Sequence, residues 1–113
     1  MDRETLFEMS ADQLEELKPL KTVFDLTGKV AVVTGTVGLA LFVIHRLSEC
    51  GAKVVFCGRS QEWGNAAEET LRAMGYDVTY RQADVRRVSD CYDLVAFAEE
   101  QYGTVDIVVP VAA

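Results

Sequence analysis

The sequence predicts an α/β fold in which helices cover both faces of a parallel sheet, and three observations lead to it. Short apolar runs alternate with segments of helical periodicity from residue 29 of the 113-residue chain onward. The apolar runs are continuous, which is typical of parallel strands buried on both faces. A glycine follows each of the three helical segments, at the place where helices commonly end.

The elements follow in order along the chain. Apolar runs predict four strands, at residues 30–33, 53–57, 77–81 and 105–109. Helices are expected at residues 39–50, at 61–74 and, capped by Ser89, up to residue 102. The side chains expected on their inner faces are Leu39, Val43 and Leu47, then Trp63, Ala67, Thr70, Leu71 and Met74, then Cys91, Leu94, Val95, Ala98 and Tyr102. This alternation predicts a Rossmann-like three-layer α/β/α fold with the strand order 3-2-1-4.

Composition and charge exclude several classes of protein. Half of the residues are hydrophobic and the net charge is −7, so the chain is neither disordered nor a basic nucleic-acid binder. No apolar run reaches the ~18 residues of a membrane span, and the acidic N-terminus lacks a signal-peptide pattern. One histidine and three cysteines without C-x-x-C spacing predict no metal site and no disulfide. We therefore expect a cytoplasmic chain.

The first 25 residues differ in composition from the rest, being rich in Asp and Glu. The segment from Ser10 to Gln13 resembles a capping box and predicts a short helix that runs to about Lys18, before Pro19. We interpret residues 1–25 as an acidic N-terminal arm and residues 26–113 as the Rossmann-like domain.

A glycine-rich turn joins the first predicted strand to the first long helix, with the sequence Thr34-Gly35-Thr36-Val37-Gly38-Leu39-Ala40. Such a turn lets the backbone approach a pyrophosphate, and the following helix offers unpaired N–H groups and a partial positive charge. The same glycines also suit a tight turn that binds nothing. Taken alone, the pattern leaves both interpretations open.

Four further stretches of the sequence are informative: LTGKVAVVTG at 26–35, GAKVV at 51–55, ADV at 83–85 and YGTVDIVV at 102–109. In order and spacing they resemble the short-chain dehydrogenase/reductase family, and the resemblance covers residues 24–113. It implies hydride transfer between a nicotinamide cofactor and a carbonyl or alcohol. It also implies cofactor contacts from the turn residues Thr34, Gly35, Thr36, Gly38 and Leu39, with Asp84 beside the adenine and Val85 lining it. The alternative for Asp84 is a turn aspartate.

The residues at the end of the second strand distinguish a site for NAD from a site for NADP. An acidic residue there binds the ribose 2′-hydroxyl of NAD, whereas arginine suits a 2′-phosphate. This chain has Gly58 in place of the acid, followed by Arg59 and Ser60, which can pair with a phosphate and donate a further hydrogen bond. The sequence therefore predicts NADP(H) rather than NAD(H), with a solvated loop arginine as the alternative.

Two departures from the family's pattern fall within this site. The usual turn is T-G-x-x-x-G-x-G, and the present one is a residue shorter, which places Gly38 and Ala40 at the second and third glycine positions. The sequence PVAA at 110–113 stands where the family has N-N-A-G. Both changes predict weakened cofactor binding.

The family's catalytic Ser and Tyr-x-x-x-Lys motif is missing from these 113 residues. The four tyrosines are followed four positions later by Tyr, Asp, Ala and Asp. The sequence thus predicts a cofactor-binding portion, truncated after strand four, that does not catalyse the reaction alone and self-associates through its exposed last strand.

The alternative is a non-enzymatic α/β scaffold or interaction protein with a decayed nucleotide site. A flavodoxin-type protein is a weaker third reading, because its phosphate loop is usually richer in hydroxyls.

Overall fold

The computed structural model describes residues 20–111. Its elements are α1 (Leu20–Val23), β1 (Val30–Thr34), α2 (Leu39–Glu49), β2 (Lys53–Gly58), α3 (Gln61–Ala73), β3 (Val78–Gln82), α4 (Val88–Tyr102) and β4 (Ile107–Pro110). The helix expected at residues 10–18 lies outside the described range, and so do residues 112 and 113. The division at residue 25 stays a prediction for the same reason. None of the described helices is long and apolar enough to cross a membrane.

The four strands form one parallel sheet with the order β3-β2-β1-β4. Val32 of β1 is in register with Val55 of β2 and with Val108 of β4. This confirms the predicted fold class and strand order. Because all four strands run in the same direction, their carboxyl ends meet at one edge of the sheet.

Two apolar clusters lie on opposite faces of the sheet. Ala31, Val33, Val54 and Phe56 pack with Ile44 of α2 and Leu71 of α3 on one face. Val32, Val55 and Cys57 pack with Leu94 and Ala98 of α4 on the other. Successive strand side chains point to opposite faces, so a continuous apolar run such as residues 30–33 contributes to both clusters. This is the three-layer arrangement that the sequence predicts.

The inner face of α2 is shifted from the predicted one. Leu39 is 69% exposed, whereas Ala40, Ile44 and Ser48 are buried. The helix approaches β1 through the small side chain of Ala40, whose Cβ lies 2.6 Å from the position that a Cβ on Gly35 would take. Residues at intervals of four from Ala40 therefore face the sheet. The expected inward position of Leu39 is wrong, while Val43 and Leu47 do pack at the margin of the core.

The other two long helices differ from expectation in similar ways. Trp63, Thr70 and Met74 of the α3 region are exposed, so their expected inward positions are wrong. Leu71 is buried as predicted, together with Gly64. In α4 the buried residues are Leu94 and Ala98, both as predicted. Val95 is exposed, so its expected inward position is wrong. The cap predicted at Ser89 is wrong, because α4 begins at Val88 after Arg87.

The last strand begins two residues later than predicted. Asp106 precedes it and makes two hydrogen bonds with Val30 at the start of β1. Its backbone N–H donates to the Val30 carbonyl at 2.8 Å, and its Oδ2 accepts from the Val30 N–H at 2.9 Å. The side chain of Asp106 thus sets the register in which β4 joins the sheet.

Truncating Ile44 and Leu39 tests the corrected face of α2. We expect Ile44→Ala to lower the free energy of unfolding by about 2–5 kcal/mol, because it leaves a cavity in the core. Leu39→Ala should change it by no more than about 0.5 kcal/mol, since the side chain is exposed. Urea unfolding of both variants is the measurement. If Ile44→Ala does not fold, Ile44→Val should still cost about 1 kcal/mol. Equal losses in the Ile44 and Leu39 variants would contradict this assignment.

Candidate functional site

The carboxyl ends of β1, β2 and β3 carry the residues that the sequence singles out. The chain places β2 and β3 on one side of β1 and β4 on the other, so the strand order reverses at β1. Ligands of open α/β sheets bind in the crevice that this reversal creates. The candidate site is therefore expected beside the turn that follows β1.

The glycine turn brings its backbone close to the neighbouring elements. The Gly35 N–H donates to the Cys57 carbonyl at 2.8 Å, and Gly35 has a φ of 129° that favours glycine. Gly38 precedes α2 with φ 61° and ψ −132°, and within the described range no side chain caps this helix. The first N–H groups of an α-helix have no partner inside the helix. An anion placed at this end of α2 would supply one.

The segment after β2 is held mainly through its backbone. Gln82 Nε2 donates to the Arg59 carbonyl at 2.8 Å. Ser60 caps α3, its Oγ accepting from the Trp63 N–H at 3.1 Å, which leaves the hydroxyl able to donate to a ligand. The Arg59 guanidinium makes no hydrogen bond or ion pair with any residue between 20 and 111.

Of the clefts at this edge of the sheet, two border the glycine turn. The first, about 200 Å³ in volume, is lined by residues that include Gly35, Arg59, Asp84 and Val85. The second, about 380 Å³, is lined by residues that include Gly35, Thr36, Arg59, Ser60 and Trp63. Gly35 and Arg59 border both clefts. Together the two form a groove that runs from β3 across the glycine turn to the start of α3.

Six of the nine residues that the sequence assigns to cofactor binding line this groove, and three do not. The Thr34 hydroxyl accepts a hydrogen bond from the Val111 N–H at 3.0 Å, so it holds the segment after β4. Gly38 and Leu39 line neither cleft. Gly38 sets the start of α2, and Leu39 projects into solvent. Any role of these residues toward a ligand stays a prediction.

Asp84 is tightly engaged by Arg86. Arg86 donates to Oδ1 of Asp84 from Nε and from its backbone N–H, both at 3.0 Å, and to Oδ2 from a terminal guanidinium nitrogen at 2.8 Å. These hydrogen bonds hold the pKa of the Asp84 carboxyl well below its usual range. The Asp84 N–H in turn donates to Asp90 Oδ2 at 2.8 Å. The geometry is that of the turn aspartate, and it leaves the ionised carboxylate at the border of the first cleft.

Two polar side chains of β3 contribute to the site although no sequence motif indicates them. Tyr80 and Gln82 both hydrogen-bond to the backbone around Arg59. The available signal was their spacing: two polar residues at i and i+2, at the end of a strand that neighbours β2, share one face of the sheet. The groove also contains the buried Cys57, and burial raises the pKa of its thiol.

These residues fit a phosphorylated dinucleotide. Gly35 adds no side chain to the groove, and no side chain among residues 20–111 caps the N-terminus of α2. Arg59 offers a planar cation that makes no hydrogen bond or ion pair with those residues, although its charge acts on nearby Asp84. Ala40, at the third glycine position of the motif, is buried and packs onto Gly35. The cleft beside it keeps a volume of about 380 Å³. The methyl group therefore does not close the site.

A parallel sheet of this order, with a glycine turn below a groove at its switch point, defines a Rossmann-like domain. The sequence model of the short chain dehydrogenase family matches residues 29–113. The chain belongs to that family of oxidoreductases, whose members bind a dinucleotide cofactor, as its sequence predicts.

Individual relatives agree with this assignment. Dehydrogenase/reductase SDR family member 4 from Sus scrofa is 38% identical over 106 residues, covering 93% of this chain and 36% of the relative. An uncharacterised oxidoreductase from Thermotoga maritima is 40% identical over 89 residues, covering 78% and 35%. A variant of actinorhodin polyketide ketoreductase, crystallised with NADPH, is 38% identical with a TM-score of 0.73, over 75% of this chain and 33% of that one. The chain thus spans about a third of the length of these proteins.

The pairing of Asp84 with Arg86 predicts a pH-dependent contribution to stability. The folded chain holds the pKa of this carboxyl below the unfolded value of about 3.9. The resulting stabilisation is complete at pH 7 and is lost as the pH falls below about 5 toward the folded pKa. We expect Asp84→Asn to have a lower urea midpoint than the parent chain at pH 7, and the difference to shrink at pH 3. Asp93→Asn, on the exposed side of α4, controls for the change in net charge. A difference that is independent of pH would contradict the prediction.

Proposed function

We propose that this chain is the NADP(H)-binding portion of a short-chain oxidoreductase. The observation that carries the proposal is the position of Arg59. Arg59 borders both clefts at the end of β2, the place where the family distinguishes the two nicotinamide cofactors. Its guanidinium makes no hydrogen bond or ion pair with residues 20–111. When bound, the nicotinamide accepts or supplies the hydride, and the residues described here bind and orient the nucleotide.

Each part of the groove suits one part of the cofactor. Gly35, Thr36 and the uncapped end of α2 would receive the pyrophosphate, because backbone N–H groups and the helix dipole favour an anion there. Arg59 and Ser60 would receive the 2′-phosphate. Asp84 and Val85, which border the first cleft, would lie beside the adenine. Gly38 and Leu39 contribute by shaping the turn, and Thr34 by holding residue 111.

Packing at the end of β2 supports NADP(H) over NAD(H). A Cβ placed on Gly58 would lie 2.9 Å from Thr36 Cγ2 and 3.2 Å from Thr36 Oγ1. The Thr36 side chain thus occupies the space that the acidic residue of an NAD site would need. The ketoreductase crystallised with NADPH has a similar fold at 38% identity, which adds to this support.

The proposal assigns cofactor binding, and no complete reaction, to these 113 residues. The serine and the Tyr-x-x-x-Lys motif that the family uses for proton transfer are not found in the sequence. We therefore expect no turnover of a carbonyl substrate by this chain alone. A cytoplasmic location is part of the proposal, and the three free cysteines fit a reducing compartment.

A scaffold with a decayed nucleotide site is the second candidate, and one observation favours it. Arg86 forms an ion pair with the Asp84 carboxylate, so the proposed contact of Asp84 with the adenine has to compete with that pair. This candidate predicts a folded chain that binds neither nucleotide. Direct titration separates the two.

Trp63 provides the signal for that titration, because its indole is 61% exposed and borders the same cleft as Arg59. We expect saturable quenching by NADPH, and weaker binding of NADH. Arg59→Met should weaken NADPH binding about tenfold or more, since it removes charge-assisted hydrogen bonds. NADH binding should change less than about twofold.

Arg46→Met is the matched control, since Arg46 is an exposed arginine that pairs with Glu49 in the last turn of α2. It should leave both affinities unchanged. A folded parent chain that responds to neither nucleotide would favour the scaffold. Equal losses for NADPH and NADH in Arg59→Met would refute the role of Arg59.

We also propose self-association through β4. Within residues 20–111 this strand pairs only with β1, and Val108 at its centre is 58% exposed. Unpaired strand edges favour association. We expect the sedimentation mass to rise with concentration above the 12.5 kDa of one chain, and Val108→Lys to reduce that rise. A concentration-independent mass of one chain would contradict the proposal.

A further inference from the structure

We propose that Tyr80 is a positioning residue that sets the preference for the 2′-phosphate by holding the backbone on both sides of Arg59. The inference rests on the proposed function and concerns a side chain that does not itself reach the cofactor. It assigns cofactor selectivity to the third strand as well as to the end of the second.

The Tyr80 hydroxyl lies between two carbonyl groups that flank Arg59. It donates to the Gly58 carbonyl at 2.8 Å and to the Ser60 carbonyl at 2.7 Å, sharing its one proton between them. Gln82 Nε2 donates to the carbonyl of Arg59 itself at 2.8 Å. Three consecutive carbonyls of this turn are thus held by two side chains of β3.

The Tyr80 ring is itself fixed by close packing. Tyr80 is only 7% exposed, and its ring lies against Phe56 with the centroids 5.3 Å apart. On the other side it contacts α3 at Gly64, where an added Cβ would overlap the Tyr80 ring. Glycine is unfavourable within a helix, and the position of this ring accounts for its presence at residue 64.

The Tyr80 hydroxyl is a dependable donor. Burial raises the pKa of this phenol, so the group keeps its proton at neutral pH. The carbonyls of residues 58 and 60 also accept backbone N–H groups, from Ala83 at 2.9 Å and from Gly64 at 3.1 Å. Replacing the hydroxyl by hydrogen would therefore remove the side-chain donor that links the two carbonyls and leave each with its backbone donor.

The Arg59 side chain depends on this support. Its guanidinium has no hydrogen bond or ion pair of its own in the part of the chain that the structure describes. The position of the Arg59 side chain therefore depends on the backbone of the turn that carries it. Loosening the turn raises the cost of ordering Arg59 and Ser60 around a phosphate. Because these two residues face the 2′-phosphate, the loss should fall on 2′-phosphorylated nucleotides and spare the others.

Calorimetric titration of the full 113-residue chain with 2′,5′-ADP and with 5′-AMP tests the inference. These probes differ by the 2′-phosphate and need no nicotinamide site. In Tyr80→Phe we expect the affinity for 2′,5′-ADP to fall about fivefold, the loss of one net hydrogen bond. The affinity for 5′-AMP should stay within about twofold.

Tyr76→Phe is the matched control. Its hydroxyl lies 3.1 Å from His45 Nδ1, before the amino end of β3 and away from the groove. It should leave the ratio of the two affinities unchanged. If Tyr80→Phe does not fold, Gln82→Met takes its place, because it removes the donor to the Arg59 carbonyl and leaves the tyrosine intact. It should lower the same ratio about threefold.

The outcomes separate the two proposals. A parent chain that binds neither probe, or both equally, overturns the proposed NADP(H) site and this inference with it. A parent chain that prefers 2′,5′-ADP, and keeps that preference in Tyr80→Phe, overturns the inference alone. Equal weakening of both probes in Tyr80→Phe assigns Tyr80 a purely structural role and overturns it as well. Selective loss of 2′,5′-ADP binding supports it.

Discussion

The parallel pairing of β1 with β2 on one side and β4 on the other determines the position of every other part of this fold. β1 is buried on both faces, and its side chains alternate between the two apolar clusters. Since the neighbouring strands run in the same direction, their carboxyl ends share one edge of the sheet. The reversal of strand order at β1 opens the groove at that edge. The location of the site therefore follows from backbone pairing, before any side chain in it is considered.

Close contacts around this edge limit what the site can contain. Side chains of Ala40, Thr36 and Tyr80 occupy the space that a Cβ would need at Gly35, Gly58 and Gly64. The strand ends are consequently lined by backbone, and recognition is left to side chains beyond them. Arg59 is the exposed cation in that position. The same crowding that leaves no room for an acidic side chain at the end of β2 thus leaves an arginine to line the groove.

Most of the fold could be predicted from the sequence, because continuous apolar runs, helical periodicity and terminal glycines all indicated the same alternation. The inner faces of the helices were harder to predict from the sequence. Leu39 and Trp63 are large and apolar, yet small residues next to them, Ala40 and Gly64, make the close contacts with the sheet. Hydrophobic periodicity gives weight to large side chains and misses a contact made by a small one.

The candidate site was predictable to a similar extent. Local motifs brought Gly35, Arg59 and Asp84 into consideration, and the fold places all three along one groove. The contributions of Tyr80 and Gln82 were not visible, because they depend on the pairing of β3 with β2. The partner of Asp84 was also not identified, although Arg86 is only two residues away. Whether a carboxylate faces a ligand or its own turn depends on backbone geometry that the residue types do not specify.

The double hydrogen bond between Asp106 and Val30 joins residues that are 76 positions apart in the chain. During synthesis, β1 therefore has one open edge until residue 106 has emerged, while β2 and β3 can already pair in order. Contacts of such long separation form slowly, because a large loop must close first. Most of the groove, from the glycine turn through Arg59 to Asp84, belongs to the part that assembles without β4. The nucleotide binding that we propose would thus stabilise the nascent domain before its sheet is complete.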